Sequence, residues 1–159
     1  MITQQLVKEL FEYDDGKLIR KKSIQSRSPQ GAIAGCKAKY GFHVSINCKQ
    51  YKLHRIIWLW HFGFLPDEID HKDGNPCNNK IENLRPASRN ENMRNTKMPI
   101  TNKSGFKGVS WSKAAKKWIA NITVNNKQIY LGLFDCKIKA YESYCDASKK
   151  LHGQFSKIA

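Results

Sequence analysis

Hydrophobic side chains near the start of the chain recur at helical spacing. Leu6, Val7, Leu10 and Phe11 are separated by intervals of three and four residues, which is the period of one face of a helix. We therefore predict a short amphipathic helix over residues 2–12, which packs against the segments that follow it.

Beyond Gly16 the pattern becomes that of short strands. The runs 17–20 and 42–47 favour β-strands, whereas the stretch 26–41 between them is rich in turn-forming residues. We predict that this part of the chain is a β-rich N-terminal extension of the region after it.

A second helical pattern covers residues 54–63. It ends at Gly63, and Pro66 follows three residues later, as is typical of the end of a helix. Because the aromatic side chains here follow the apolar face, we assign Trp58 and Trp60 to the hydrophobic core.

A change of composition separates the chain into two parts. Residues 98–104 combine a proline with small polar residues, directly after a run of Asn and Arg. We therefore predict a first domain at residues 1–97, a linker at residues 98–104 and a second domain at residues 105–159.

The second domain has the pattern of three strands and one helix. Residues 106–112, 116–126 and 127–134 have β-like patterns, and Asn125-Asn126 predicts the turn between the last two. Helical spacing resumes over residues 136–153. The sequence thus predicts an α+β protein with two small domains.

The charge of the chain indicates a polyanionic partner. It carries 28 Lys+Arg against 13 Asp+Glu, a net charge of +15, and its pI is about 9.7. Residues 101–159 hold 11 basic and 3 acidic residues, so the shorter C-terminal part is the more basic per residue. This excess favours nucleic acid as the partner, and a solubilising surface is the alternative interpretation.

Cysteine spacing and hydropathy exclude several other classes of protein. The five cysteines lie far apart and include no C-x-x-C pair, so we expect neither a structural zinc ion nor a disulfide framework. The N-terminus lacks the pattern of a signal peptide, and no stretch approaches the roughly 18 apolar residues of a membrane span. We expect a cytoplasmic protein that is not secreted and has no membrane partner.

Metal-capable and amide side chains are concentrated in residues 68–95. Asp70 and His71 are adjacent at the end of a β-like run, and neighbouring residues on a strand point to opposite sides. The two side chains can therefore address different atoms of one substrate. A lone Asp-Gly-Asn is usually only a turn, and a lone histidine usually a structural residue, so the interpretation depends on the combined pattern.

A helix is predicted to follow this turn. Ser88 and Glu91 have the S-x-x-E spacing of a capping box, which starts a helix near Ser88 and places Asn92 in its first turn. We expect Asn92 to face back toward Asp70 from that position.

These residue types suit phosphodiester hydrolysis. That reaction needs an activated water and a cation that neutralises charge on the phosphate oxygens. Carboxylate and amide oxygens are ligands for Mg²⁺ or Mn²⁺, and a histidine can accept the proton of the water near neutral pH. The pattern therefore indicates a metal-dependent hydrolase.

The succession D-H-K-D-G-N, N-N, E-N-L-R and S-x-x-E-N resembles the HNH homing endonucleases of phages and mobile introns. The resemblance implies a ββα-metal fold in which Asp70 and Asn92 bind one divalent ion, Mg²⁺ or Mn²⁺. It also implies that His71 is the general base, that Asn83 braces the loop carrying His71, and that His54 lies near the scissile phosphate. The implied partner is double-stranded DNA, bound by a monomer or weak dimer in a bacterial or phage-infected cell.

Residues 102–157 resemble the AP2 DNA-binding domain. The likeness rests on Gly108, Val109, Trp118, Ile122, Leu131, Gly132, Phe134 and Asp135. It implies a three-stranded antiparallel sheet that is backed by one helix and laid in the major groove. The predicted DNA contacts of this domain are Lys107, Trp111, Lys113, Lys117, Trp118 and Lys127. The first domain is predicted to add Arg55, Arg85 and Arg89. A role in the core is the alternative for Trp111 and Trp118.

The predicted function is that of a homing-type endonuclease, which nicks or cuts DNA near a site held by the second domain. A non-catalytic DNA-binding regulator derived from a nuclease is one alternative, and a nuclease specific for branched DNA or RNA is another. The joint presence of Asp70, His71, Asn83 and Asn92 argues against a decayed site.

Overall fold

The structure is a computed structural model that describes residues 2–23, 28–94 and 101–156, without the side chains of Arg94 and Gln154. Within these ranges the chain is mixed in α and β and builds small antiparallel sheets. This architecture agrees with the predicted α+β class and is compatible with an HNH nuclease core.

The chain divides into two units, Met1–Ser88 and Arg89–Ala159. The division falls ahead of the linker that the sequence predicts at residues 98–104, of which residues 98–100 lie outside the described ranges. A helix that the sequence assigned to the first domain therefore groups with the second unit.

The described residues of the first unit form two α-helices, eight β-strands and one 3₁₀ turn. In chain order these are α1 (Gln4–Leu10), β1 (Phe11–Asp14), β2 (Lys17–Arg20), β3 (Ile33–Ala34), β4 (Cys36–Ala38), β5 (Gly41–Ile46), β6 (Lys49–Lys52), α2 (Leu53–Phe62), β7 (Glu68–His71), the 3₁₀ turn Ile81–Asn83 and β8 (Leu84–Ala87). They form three antiparallel sheets of order β1-β2-β3, β4-β5-β6 and β7-β8.

The predicted N-terminal helix forms, but it ends earlier than residue 12. The hydroxyl of Thr3 accepts a hydrogen bond from the backbone N–H of Leu6 at 3.3 Å and so caps α1. Phe11 already belongs to β1 and is completely buried. Because a strand can bury this side chain as well as a helix can, the apolar spacing did not reveal where the helix ends.

Helix α2 supplies much of the core of the first unit. Ile56 and Ile57 are completely buried, and Trp58 is 6% exposed. Trp60 is partly buried and its indole N–H donates to the carbonyl of Phe11 at 3.2 Å. The prediction that Trp58 and Trp60 are core residues is confirmed.

The stretch 26–41, predicted to consist of turns, contains β3 and β4. These strands have only two and three residues, which is too short for an alternating pattern to be recognised. Each is an edge strand that depends on its longer neighbour, β2 or β5, for pairing.

The second unit follows the predicted order of three strands and one helix, preceded by a short helix. Its elements are α3 (Arg89–Arg94), β9 (Val109–Ser112), β10 (Lys117–Val124), β11 (Lys127–Phe134), α4 (Lys137–His152) and the 3₁₀ turn Gly153–Phe155. The antiparallel sheet has the order β11-β10-β9.

The turn and the core of this sheet follow from a few residues. Asn125 and Asn126 have φ of 49° and 62°, as expected for the two-residue hairpin turn predicted from the sequence. Val109, Ala120 and Ala140 form the buried centre between the sheet and α4.

No helix in the described part of the chain is long and apolar enough to cross a membrane.

Two glycines of the second unit provide a matched test of this packing. Gly108 and Gly105 both have positive φ, 75° and 78°. A Cβ at Gly108 would lie 2.2 Å from the Tyr144 ring and 2.6 Å from the Asn121 carbonyl oxygen, whereas one at Gly105 would meet nothing within 4 Å.

We expect Gly108→Ala to destabilise the second unit by about 1–3 kcal/mol more than Gly105→Ala, because overpacking adds to the backbone strain that the two variants share. Hydrogen exchange of the β10 amides in the full chain measures the difference. Equal protection in the two variants would contradict the packing of Gly108 against Tyr144.

Candidate active site

The strand pair β7–β8 brings the central candidate residues into position. Asp70 lies opposite Arg85, and His71 lies opposite Leu84. Asp70 is 4% exposed and His71 is 9% exposed. Both polar side chains are therefore buried, so each requires partners within the protein.

Asp70 is paired with Arg85 on the neighbouring strand. The Nε and a terminal nitrogen of Arg85 donate to Oδ2 of Asp70 at 2.8 and 2.7 Å. The two side chains are 11% and 5% exposed. The guanidinium of Arg85 neutralises the buried carboxylate beside it, and the predicted contact of Arg85 with DNA stays a prediction.

His71 contacts two residues from other parts of the first unit. Its Nε2 lies 3.1 Å from Oδ1 of Asn79 in a buried hydrogen bond. Its ring also packs edge-on against the ring of His54, at a centroid distance of 5.0 Å and an interplanar angle of 81°. The ring of His71 is therefore bounded by the 72–80 loop and by α2.

His54 lies in the first turn of α2 and is held in its neutral form. Burial, together with the smaller effects of the nearby charges of His71, Lys52 and Arg55, lowers the pKa of its imidazole to about 3. A neutral His54 presents no positive charge to a phosphate at neutral pH, so a role near the scissile phosphate would rest on hydrogen bonding.

Asn83 is at the centre of a hydrogen-bond network in the 72–80 loop. Its Nδ2 donates to Oδ1 of Asp73 at 3.0 Å and to the Asn78 carbonyl at 2.8 Å, and its Oδ1 accepts from the Asp73 backbone N–H at 3.1 Å. Burial alone would raise the pKa of Asp73, but hydrogen bonds from Asn75, Asn78 and Asn83 outweigh it and the pKa lies below its usual value. Asn83 therefore connects Asp73 and Asn78 of this loop, and its role as the brace of the loop that carries His71 stays a prediction.

This part of the chain also matches a known family. Residues 51–94 match the family model of the HNH endonucleases. The chain is 37% identical over 112 residues to Protein 3.8 of Escherichia phage T7, and the alignment covers 69% of this chain and 92% of that protein. The chain belongs to this phage family and carries an HNH endonuclease domain. Such a domain indicates a nuclease that binds DNA, and HNH nucleases generally use a divalent metal ion.

The HNH match spans both units, since residues 51–88 lie in the first and residues 89–94 in the second. The first unit by itself thus carries Asp70, His71 and Asn83. Asn92 lies on α3, which begins at Arg89 just after Ser88, and its side chain is partly buried. The approach of Asn92 to Asp70 stays a prediction.

Arg55 of the HNH domain has a local structural contact. Its two terminal nitrogens donate to the carbonyl oxygens of Asp67 and Pro66 at 3.0 and 3.1 Å. The guanidinium thereby ties α2 to the chain that leads into β7. Its predicted contact with DNA would have to be made from this position.

The predicted DNA contacts of the second unit differ in exposure. Arg89, Trp111, Lys113 and Lys127 are exposed, and Lys107 is half-buried. Lys117 forms an ion pair with Asp135 at 3.1 Å. Trp118 packs against the buried cluster of the sheet and against Trp111, in agreement with the alternative interpretation of Trp118 as a core residue.

Sequence reasoning did not identify Asn79 as a partner of His71. Asn79 lies in the same loop as Asn75 and Asn78. The difference is in burial, because Asn79 is 3% exposed whereas Asn75 is exposed. The sequence marks Asn79 only as the second residue of the pair Asn78-Asn79 after the Asp-Gly-Asn turn, and this pattern does not reveal its contact with His71.

The low pKa of His54 gives a pH-dependent prediction. The folded state keeps this imidazole neutral, whereas the unfolded chain takes up a proton as the pH falls below about 6.5. The contribution of His54 to stability is therefore complete above that pH and is lost as the pH falls toward about 3.

We expect the Cε1 proton of His54 to keep the chemical shift of a neutral imidazole when the folded protein is titrated from about pH 8 to pH 5. After unfolding in urea, the same titration should show this proton shift with a midpoint near the ordinary histidine pKa of about 6.5. A midpoint near pH 6.5 for His54 in the folded protein would contradict the burial that we describe.

Proposed function

We propose that this protein is a metal-dependent DNA endonuclease of the homing type, which hydrolyses phosphodiester bonds in double-stranded DNA. The observation that carries the proposal is the pair Asp70 and His71. The two are adjacent on β7, both are buried, and each is held by a separate partner. In this arrangement Asp70 can supply an oxygen ligand to a cation, and His71, on the opposite side of the strand, can act as the base toward water.

The residues fit a hard divalent cation. In the described part of the chain no three His, Cys, Asp or Glu side chains cluster as metal ligands, and Mg²⁺ is commonly held by only one or two carboxylates. Asp70 and Asn92 would supply a carboxylate and an amide oxygen. Two nitrogens of Arg85 donate to Oδ2 of Asp70, so a bound cation would share this carboxylate with the guanidinium. When bound, the ion would stabilise negative charge on the phosphate oxygens.

His71 is the general base of the proposed reaction. Its neutral imidazole takes one proton from a water molecule whose oxygen forms a bond to phosphorus, and the bond from phosphorus to one ester oxygen breaks. The imidazole becomes an imidazolium, and the leaving oxygen is protonated by solvent. One base and one ion suit the cleavage of a single strand at each active site.

Asn83 and His54 support this step without exchanging a proton. The three hydrogen bonds of Asn83 hold the 72–80 loop that follows His71. The neutral ring of His54 lies against one edge of His71 and adds no cation beside it. Both residues thereby limit the positions that the base can take.

The second unit is proposed to hold the DNA in the manner of an AP2 domain. Its three-stranded sheet is backed by α4, and the exposed Trp111, Lys113 and Lys127 offer one flat ring and two cations. Rings and lysines of this kind contact sugar and phosphate more than base edges. Since Lys117 is paired with Asp135, it is the weaker candidate for a phosphate contact.

The decisive test is cleavage of supercoiled plasmid in the presence of Mg²⁺ or Mn²⁺. We expect the wild type to nick the plasmid and His71→Gln to be slower by about 10²–10⁴-fold, the usual contribution of a general base. His61→Gln is the matched control, because His61 hydrogen-bonds within α2 to the Ile57 carbonyl, and it should cut at the rate of the wild type.

DNA binding by the same variants separates the alternatives. A gel shift of equal strength for the wild type and His71→Gln is expected, since His71 is buried and acts on the reaction. Binding without any metal-stimulated cutting by the wild type would contradict the nuclease and favour a DNA-binding regulator. Preferential cutting of branched DNA or RNA would contradict the duplex substrate.

A further inference from the structure

Asn79 contacts the proposed base and is itself almost fully buried. It is 3% exposed, and its Oδ1 lies 3.1 Å from Nε2 of His71. The Asn79 amide faces His71 with its oxygen, and an amide oxygen can only accept a hydrogen bond, so in this orientation Nε2 of His71 carries the shared proton. The other ring nitrogen, Nδ1, then carries the lone pair of the neutral imidazole.

We propose that Asn79 is a positioning residue, which fixes the tautomer and the orientation of His71 so that Nδ1 is the atom that accepts the proton of the water. This inference rests on the proposed nuclease function and names a further residue that the function requires.

Burial makes the preference for one tautomer strong. If Nδ1 carried the proton instead, the lone pair of Nε2 would face the lone pairs of the Asn79 oxygen across 3.1 Å. With both side chains buried, water cannot readily replace the lost hydrogen bond. The folded protein should therefore hold almost all of the neutral His71 in the Nε2–H form.

The N-terminal hairpin β1–β2 holds the backbone directly after Asn79. Its turn passes so close that a Cβ at Gly16 would lie 2.9 Å from the backbone nitrogen of Lys80 and 3.1 Å from the carbonyl carbon of Asn79. The hydroxyl of Tyr13 accepts from the backbone N–H of Ile81 at 3.1 Å. The hairpin thus fixes the place from which the Asn79 side chain reaches His71.

The residues just before Asn79 are held from the other side of the loop. Asn78 donates to Oδ2 of Asp73 at 2.8 Å, and its carbonyl accepts from Asn83 at 2.8 Å. Asn79 therefore lies between two anchored segments, one attached to the Asp73–Asn83 network and one to the N-terminal hairpin. This placement gives the β-rich extension a role in aligning the base.

The test combines the tautomer of His71 with steady-state kinetics on the full chain. Long-range ¹H–¹⁵N spectra of the metal-free protein distinguish the Nε2–H from the Nδ1–H tautomer of His71. Asn79→Leu keeps a similar volume without the acceptor, and Asn79→Asp keeps the acceptor. Circular dichroism checks that each variant is folded.

We expect the wild type and Asn79→Asp to show His71 as Nε2–H, and Asn79→Leu to show a mixture of tautomers. The kcat of plasmid nicking should fall about 10- to 100-fold in Asn79→Leu, a part of what a positioned base contributes, with KM unchanged because Asn79 is buried. Asn79→Asp should recover kcat to within a few-fold. A merely structural role would alter stability without this rescue.

Two results would overturn the proposal. One is the Nδ1–H tautomer for His71 in the wild type, and the other is an unchanged kcat in a folded Asn79→Leu variant. A wild type that cuts no DNA yet shows Nε2–H overturns the proposed nuclease function instead, because the tautomer measurement needs neither metal nor substrate.

A second pair of variants tests the hairpin and does not alter the Asn79 side chain. Gly16 and Gly31 have φ of 85° and 80°, but a Cβ at Gly31 would meet nothing within 4 Å. Gly16→Ala should shift the ¹⁵N signals of His71 and lower kcat, whereas Gly31→Ala should leave both unchanged. Identical behaviour of the two variants would contradict the role of the hairpin.

Discussion

The first unit depends on one constraint, the burial of two neighbouring polar side chains on β7. Asp70 and His71 are both withdrawn from solvent, and a buried polar group is stable only with a partner. The strand directs them to opposite sides, so each needs its own partner. Arg85 comes from the paired strand, and Asn79 comes from the loop between the strands.

The loop between β7 and β8 is rich in asparagines, one of which, Asn79, is the partner of the buried His71. Asparagines satisfy both donors and acceptors without adding charge, and a single carboxylate, Asp73, collects hydrogen bonds from three of them. Further carboxylates here would repel a polyanion. The local organisation therefore agrees with a chain of net charge +15, in which lysines and arginines supply the long-range attraction of DNA.

Sequence patterns predicted those features that depend on local periodicity. Helix α2, the β10–β11 turn and α4 have such patterns, and the neighbours Asp70 and His71 could be recognised from residue types alone. The partners of these two residues could not, because Arg85 reaches Asp70 through strand register and Asn79 reaches His71 through the path of a loop. The same applies to Phe11, whose burial is compatible with helix or strand.

The central claim is that the end of β7 is the metal-binding and catalytic site, and Mn²⁺-induced broadening of amide signals tests it most directly. Titration of the full ¹⁵N-labelled chain should broaden the amides around Asp70 first, and Asp70→Asn should abolish the effect while Asp73→Asn preserves it. Broadening that centres on Asp73, or that persists in Asp70→Asn, would contradict this account.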